Sequence, residues 1–181
     1  MTAHATPSEL DQGLATVRAA PRGEGVLELI VVRPSMDERS VLEEAELDLE
    51  LGVVGDHWLA RGRSGGRPAN PEAQVTVMSS RAAALVAGER ERWPLAGDQL
   101  YVDLDLSDEQ LPAGTRLAIG TAALEVTAEP HTGCKKFTAR FGLDAMMFVN
   151  SPEGRALNLR GINTRVVEPG IVRVGDAVRQ L

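Results

Sequence analysis

The residue of this sequence with the most distinctive chemistry is Cys134, its only cysteine. A cysteine acts as a nucleophile or metal ligand in its thiolate form, which neighbouring cations favour. Lys135 and Lys136 follow Cys134 directly, and His131 lies three residues before it, close enough to hydrogen-bond the sulfur or a ligand. A lone cysteine is more often a small buried hydrophobic residue. The surrounding His, Thr, Gly and Lys residues favour a functional thiol instead.

Two other kinds of thiol site are weakly supported. A Cys–His hydrolase needs a third group to orient His131, and no such group is evident near Cys134. A structural zinc site needs four closely spaced ligands, whereas the chain offers one cysteine and three histidines far apart. Pro130 ends any strand before the motif, which places Cys134 on a loop. We therefore expect a single reactive thiol or soft metal ligand.

A second segment with potential chemistry is rich in glycine and carries Arg61, Arg63 and Arg67. Guanidinium groups and backbone N–H groups in such a loop can surround a phosphate or carboxylate. The same composition is also typical of a solvated linker. Its glycine spacing matches neither a Walker loop nor a dinucleotide fingerprint. We expect a loop that is mobile without ligand and ordered by an anion.

Composition limits the class of protein. The chain has 181 residues, of which 43% are hydrophobic, so it is long enough for one ordinary domain. Its formal net charge of -7 argues against a protein that coats nucleic acid. A single cysteine suits a reducing compartment. No apolar run reaches the roughly 20 residues of a membrane span, and the N-terminus does not resemble a secretory signal. We expect a soluble cytoplasmic protein that binds neither nucleic acid nor membrane.

Hydrophobic periodicity predicts the elements that must position Cys134. Two helices are expected, one near residues 7–20 with Leu10, Leu14 and Val17 on one face, and one over residues 81–92. A third, short helix follows Gly142, with methionines facing the core. Strands are expected at residues 26–32, 45–51, 74–78, 100–106, 116–119, 122–127, 157–159, 161–167 and 171–178.

Many short strands with a few helices indicate a mainly β, barrel-like α+β domain. The strand at residues 100–106 alternates cleanly, and its pattern predicts that Tyr101, Asp103 and Asp105 face water. We expect residues 1–25 to form an N-terminal extension with a short helix, and residues 26–181 to form the domain.

The ordered motifs of the chain resemble those of the MOSC domain family, named after the C-terminal part of molybdenum cofactor sulfurases. The resemblance runs from about Val26 to Val178. The motifs that carry it are Gly55-Asp56-His57, Gln74-Val-Thr-Val-Met78, Pro112 to Gly120, Leu124-Glu-Val-Thr127, His131-Thr-Gly-Cys134-Lys-Lys-Phe137, Arg160-Gly-Ile-Asn163, Arg165-Val-Val167 and Val172-Arg-Val-Gly-Asp176. The family implies a mostly β, barrel-like fold and a molybdopterin-type molybdenum cofactor in a positively lined cleft.

The resemblance also implies roles for particular residues. Cys134 would ligate molybdenum or carry sulfur as a persulfide, with His131 beside it as a second catalytic residue. The cofactor would be bound by residues from the motifs and the basic segment, which are Gly55, Asp56, His57, Arg61, Arg63, Arg67, Thr132, Lys135, Lys136, Arg160 and Asn163. We expect the loop from Pro130 to Lys136 to form the cleft floor, bordered by Asp56-His57 and by residues 160–163.

Three functions follow from the resemblance. The first is a molybdenum-dependent oxidoreductase that reduces N-hydroxylated small molecules. The second is a sulfur carrier that uses a Cys134 persulfide, and the third is a non-enzymatic protein that binds the cofactor. Related reductases and sulfurases carry further domains, which we do not expect in this protein, so electrons or sulfur are expected from a separate protein.

Overall fold

The computed structural model describes residues 4–64 and 66–181, without the side chains of residues 62–64. In this part of the chain the strands are β1 Glu24–Val32, β2 Ser40–Leu42, β3 Glu44–Asp48, β4 Gly52–Val53, β5 Val75–Ser79, β6 Leu100–Asp103, β7 Arg116–Ile119, β8 Ala122–Val126, β9 Ile162–Glu168, β10 Gly170–Arg173 and β11 Ala177–Gln180. The helices are α1 Pro7–Arg18, α2 Trp58–Ser64, α3 Ser80–Ala87, α4 Lys135–Phe141, α5 Leu143–Asn150 and α6 Pro152–Ala156. Two 3-10 helices cover Pro71–Ala73 and Arg90–Ala96.

Among the described residues, seven strands close into a barrel in the order β1, β6, β5, β9, β8, β7 and β11, with β11 pairing back onto β1. The pair β5–β6 is parallel and the other neighbours are antiparallel, so the barrel is mixed. Strand β2 extends the sheet beyond β1, and β10, β3 and β4 form a second small sheet. The mainly β, barrel-like α+β fold expected from the sequence is confirmed.

The barrel is packed on both sides. One apolar cluster fills its interior and includes Leu27, Val77 and Leu124, all fully buried. A second cluster lies outside the barrel wall, where Leu10 of α1 and Phe137 of α4 pack together with the outward-facing side chains of the strands. Burying apolar surface on both faces of β1, β5 and β6 stabilises this part of the barrel most. The rim of this double-sided wall forms the candidate site described below.

The prediction that Tyr101 faces water is wrong. Tyr101 is completely buried under the helices, and its hydroxyl donates a hydrogen bond to the carbonyl of Trp93 at 2.7 Å. Alternate side chains of β6 therefore point into the barrel interior and toward the helices outside it. Both of these faces are largely buried, so the alternation does not mark one buried and one solvent-exposed face. Asp103 shares the outer face and remains half-exposed, paired with Arg81 at 2.6 Å.

Several predicted helix and strand limits also differ from the structure. Helix α3 ends at Ala87, where Gly88 follows with a φ of 75°, and Arg90–Ala96 form a separate 3-10 helix with Pro94 inside it. Residues 157–159 form a turn after α6 rather than a strand. In α5, Met147 is 60% exposed, which contradicts its expected core position.

Helix α1 agrees with the prediction, whereas α4 was not predicted and the strand expected at residues 171–178 is divided between β10 and β11. Helix α1 begins with a capping box between Thr6 and Glu9 and buries Leu10, Leu14 and Val17 as expected. No helix in the described ranges is long and apolar enough to cross a membrane. The domain limits at residues 25 and 26 and the cytoplasmic location remain predictions.

Candidate functional site

A cavity of about 340 Å³ lies at the rim of the barrel beside α4. Six cationic side chains from four segments of the chain line it, which are Arg33, Arg39, Arg61, Lys136, Arg140 and Arg160. The carboxylates that line it are Asp37 and Glu129. In a chain with a formal net charge of -7, this concentration of positive charge marks a site for an anion.

Cys134 lies at this cavity as the residue that precedes α4. Its carbonyl accepts the N–H of Thr138 at 3.0 Å, and the buried Phe137 and Phe141 anchor the helix in the outer apolar cluster. Before it, the backbone of Gly133 is held by the Asn150 side chain through hydrogen bonds of 2.8 Å and 3.1 Å. The thiol itself is exposed. A rigid support therefore presents a reachable sulfur.

The local field favours the thiolate of Cys134. Partial burial acts to raise the pKa of the thiol, but the backbone N–H groups of Phe137 and Lys136, and then Arg160 and Arg140, outweigh it and lower the pKa below its usual value. The direction agrees with the expectation from sequence. The causes of the lowered pKa differ from those expected, because backbone N–H groups and the more distant Arg160 and Arg140 contribute more than the side chains of the neighbouring lysines.

The first buried ion pair of the cavity joins Arg33 and Asp56. Arg33 donates from Nε and Nη2 to the two carboxylate oxygens, each at 2.8 Å, and its Nη1 donates to the Gly97 carbonyl at 3.0 Å. Asp56 also accepts the N–H of Trp58 at 2.9 Å. Asp56 is thus withdrawn from the cavity surface. Its role is to orient Arg33 and to begin α2.

Helix α2 replaces the expected basic loop. The Asp56 side chain satisfies the N–H of Trp58, and the His57 carbonyl accepts the N–H of Arg61 at 2.8 Å. These bonds explain why a glycine-containing arginine segment folds as a helix here. The His57 ring meets the carbonyl of Arg33 at 2.6 Å through Nδ1, which fixes the ring at the cavity wall.

The second buried ion pair joins Arg160 and Asp98. Arg160 donates from Nη1 to Asp98 at 2.5 Å and from Nη2 to the Ala96 carbonyl at 2.8 Å. Its guanidinium group stacks over the Phe137 ring, 5.1 Å from the centroid. His131 lies alongside, with Nδ1 3.5 Å from the other oxygen of Asp98. This group forms the floor of the cavity beneath Cys134.

Positive charges are crowded in the cavity. Burial, followed by repulsion from Arg140 and Arg33, lowers the pKa of Arg39. Burial and repulsion from Arg33 likewise lower the pKa of Arg61, although Asp56 opposes the change. An anion bound here would relieve this repulsion, so the site is electrostatically prepared for one.

The structure brings together most of the residues that the sequence singled out. The cavity is lined by His57, Arg61, His131, Thr132, Cys134, Lys136, Arg160 and Asn163. Asn163 is held by a hydrogen bond from its amide to the Glu129 carbonyl at 3.1 Å. The expected juxtaposition of the 130–136 segment with His57 and with residues 160–163 is therefore found, with Asp56 behind the wall.

Other candidates lie elsewhere. Gly55 and Lys135 do not line the cavity, and Arg67 lines a neighbouring one that shares Arg61 with it. The Arg63 side chain is outside the described residues. Its expected mobility, and that of the segment as a whole, stay untested.

Sequence reasoning missed Arg33, Arg39 and Asp98 as site residues. Arg33 follows the apolar run of β1 directly, and Asp98 precedes the apolar start of β6. A charged residue at the end of a buried strand is a signal that could have identified both. Arg39 carries no comparable signal, since it is one of many scattered arginines.

Comparisons with known proteins give a consistent picture. A family model described as MOSC domain matches residues 64–179, more than half of the chain. No curated protein matches the sequence significantly. Among solved structures, the YuaD protein from Bacillus subtilis has a TM-score of 0.63 and 19% identity, over 88% of this chain and 96% of that one.

YiiM from Escherichia coli is a second structural neighbour, with a TM-score of 0.57 and 18% identity over 86% of this chain and 69% of that one. YiiM from Geobacillus stearothermophilus has a TM-score of 0.54 and 12% identity over 88% and 74% of the two chains. At these identities the neighbours support the fold alone.

Proposed function

Because the chain belongs to the MOSC domain family, we propose that its cavity binds a molybdopterin-type molybdenum cofactor, with Cys134 as the protein ligand to the metal. The observation that carries this proposal is the position of an exposed thiol with a lowered pKa at a cavity lined by six cationic side chains. The cations suit a phosphate group, and the thiolate suits a soft metal.

The residues present fit such a group. Among the described residues, no cluster of three or more His, Cys, Asp or Glu side chains could hold a metal ion by itself. A single thiolate is compatible with a metal that brings its other ligands in an organic cofactor. The buried Nε of Arg160 also lacks a hydrogen-bond partner, and an unsatisfied buried donor requires an explanation, which a bound ligand would supply.

The cofactor would supply metal-centred redox chemistry, which suits the reduction of N-hydroxylated small molecules with electrons from a separate protein. The chain's own residues would bind the cofactor and orient it. Arg39, Arg61 and Lys136 would bind its phosphate group, and the hydrogen-bonded backbone of Gly133 would hold the Cys134 sulfur in position. Arg33 and Arg160 maintain the positive potential because buried carboxylates hold them in place.

The decisive measurement is the molybdenum and pterin content of protein made in cells that synthesise the cofactor. We expect both to copurify with the wild-type chain, and Cys134→Ser to lose the metal. Serine is nearly isosteric and position 134 is exposed, so the free energy of unfolding should change by less than about 1 kcal/mol. A well-folded Cys134→Ser protein that keeps its full metal content would refute the assignment of Cys134.

Two adjacent lysines provide a matched test of the anion site. Lys136 lines the cavity and Lys135 does not. We expect Lys136→Gln to weaken the binding of inorganic phosphate several-fold, since one charged contact is lost, whereas Lys135→Gln should have little effect. An equal loss of phosphate affinity in both variants would show that phosphate binding depends on the net charge of the protein and not on the lining of this cavity.

A sulfur carrier is the second candidate, because Cys134 is exposed and its pKa is lowered. The Cys134 thiolate would attack the outer sulfur of a donor persulfide. The donor S–S bond would break, a new S–S bond would form on Cys134, and the donor would leave as a thiolate, with no net change in oxidation level. Cyanide-releasable sulfur in metal-free protein would support this function. Turnover with a chemical electron donor would distinguish an oxidoreductase from a non-enzymatic cofactor-binding protein.

A further inference from the structure

The floor of the cavity contains two buried polar atoms that face each other without a complete hydrogen bond. Asp98 has no exposed surface, and one of its oxygens accepts from Arg160 at 2.5 Å. The other oxygen, Oδ1, and Nδ1 of His131 are 3.5 Å apart and both lack partners. A buried oxygen without a donor is costly, so the placement of the His131 proton matters to this site.

The imidazole of His131 is neutral in this environment. Burial, and then the nearby guanidinium of Arg160, lower the pKa of His131 to about 3, although Asp98 acts in the opposite direction. A neutral imidazole has one nitrogen that donates and one that accepts. Which nitrogen carries the proton is set by the partner of the other nitrogen.

We propose that Asp98 is a positioning residue that holds the His131 proton on Nδ1, so that Nε2 presents a lone pair to the cavity. The carboxylate oxygen at 3.5 Å can accept a hydrogen bond from Nδ1–H but cannot donate one. The Nδ1 atom is buried while 15% of the side chain remains exposed, and His131 lines the cavity. The lone pair of Nε2 is therefore the part of the ring that a ligand meets.

The surroundings restrict the ring to this arrangement. Gly161, with a φ of 109°, passes so close that a Cβ atom there would lie 3.2 Å from His131 Nδ1 and 2.5 Å from the Val77 carbonyl. The backbone thus closes the pocket on the Nδ1 side. The distance to Asp98 can shorten when a ligand binds, as polar contacts in ligand-free sites often do.

The consequence is a ligand specificity that the cations alone do not provide. The cavity attracts an anion through its arginines, and His131 accepts a hydrogen bond from an N–H or O–H group of the same ligand. The identity of that ligand rests on the proposed function, whereas the position of the proton does not. A heterocycle that carries both a phosphate and ring N–H groups meets both requirements.

Nitrogen NMR of the full chain labelled with ¹⁵N-histidine, recorded near neutral pH without cofactor, tests the proton position directly. The chain has three histidines, and His131→Gln assigns the signals of His131. We expect a pyrrole-type signal for Nδ1 and a pyridine-type signal for Nε2. The reverse pattern, or a charged ring, would overturn the proposal even if the cofactor binds.

The Asp98→Asn variant provides the second test. Arg160 would keep the amide oxygen as its acceptor, which turns the amide N–H₂ toward His131 and favours a proton on Nε2. We therefore expect the two signal types to exchange. Asp37→Asn is the matched control, because Asp37 lines the same cavity but is 63% exposed, and it should leave the His131 signals unchanged.

An unchanged His131 pattern in folded Asp98→Asn would overturn the role of Asp98. If that variant does not fold, the wild-type spectrum still decides the proton position. Molybdenum content is measured separately, so a protein with the expected His131 signals and no metal would refute the proposed function while retaining this inference.

Discussion

Two arginine–carboxylate pairs with nearly the same shortest N···O distance have different roles in this protein. Arg33 meets Asp56 at 2.8 Å at the wall of the cavity, and Arg179 meets Glu24 at 2.7 Å on the outside of the barrel. The side chains are 9% and 0% exposed in the first pair and 61% and 60% exposed in the second. The distance between the charged atoms is therefore a poor guide to importance. Burial decides the role, because water competes for the exposed pair only.

The buried pairs also explain how an acidic protein keeps a positive cavity. Asp56 and Asp98 each bind one arginine from behind, so the guanidinium groups are fixed without placing a carboxylate in the cavity. Arg39 has no such support in its hydrogen bonds, which go to the carbonyls of Pro94 and Glu38. Arg33 and Arg160 are thus held rigidly, at a cost in desolvation. Arg39 carries a charge that a ligand can still neutralise.

The largest expected effect comes from removing the buried acid. Asp56→Ala leaves Arg33 buried without its partner and removes the bond to the Trp58 N–H, so we expect the free energy of unfolding to fall by about 3–5 kcal/mol. Chemical denaturation monitored by far-UV circular dichroism would measure the loss. A change below about 1 kcal/mol would show that water reaches the pair and that the contrast with the surface is wrong.

The floor should also make the protein sensitive to acid. The pKa of His131 is lowered to about 3 from its usual value, so between about pH 6.5 and pH 3 the unfolded chain binds a proton that the folded chain does not. Stability is then complete above about pH 6.5 and falls as the pH decreases, with a limiting slope near 1.4 kcal/mol per pH unit for this one group.

The contribution of His131 can be isolated by comparing the wild-type chain with His131→Gln between pH 6.5 and 5, above the range where most carboxylates titrate. Denaturation at each pH should show a smaller decline in the variant. Identical declines would mean that His131 becomes protonated in the folded protein and that the floor is wetter than the structure indicates.

A smaller effect is expected at the rim. The lowered pKa of Cys134 predicts that its alkylation rate reaches half of the maximum below about pH 8.5, the value for a free thiol. Arg140→Gln should move this midpoint upward by a fraction of a pH unit, since Arg140 is the weakest of the four lowering influences. Arg116→Gln is the control, because Arg116 does not line the cavity, and a shift of equal size there would indicate a general charge effect.

The smallest effect is expected at the exposed pair. Glu24→Gln removes the partner of Arg179 in a fully solvated setting, so the free energy of unfolding should change by less than about 1 kcal/mol. The same denaturation assay used for Asp56→Ala gives the comparison. A loss as large as that of Asp56→Ala would contradict the conclusion that burial separates the two pairs.

The sequence contained enough information to predict most of the barrel and the centre of the site. Runs of β-branched residues identified β1, β5 and β9 because buried strands have a short apolar pattern. The single cysteine, with His131 nearby, directed attention to a loop that lines the cavity, because a lone thiol among polar residues stands out in the sequence. Helix α4 was missed because its seven residues are too few for a clear period.

Tertiary structure decided what local patterns leave open. The sequence by itself determined that Cys134 stands among polar residues and that α1 begins at a capping box, because both depend on neighbours in the chain. Only the fold placed Asp98 beside Arg160, 62 residues away, and Asp56 beside Arg33, 23 residues away. Burial and ion pairing arise when distant strands close the barrel, so the charge of the cavity is a property of the tertiary structure and not of any one segment.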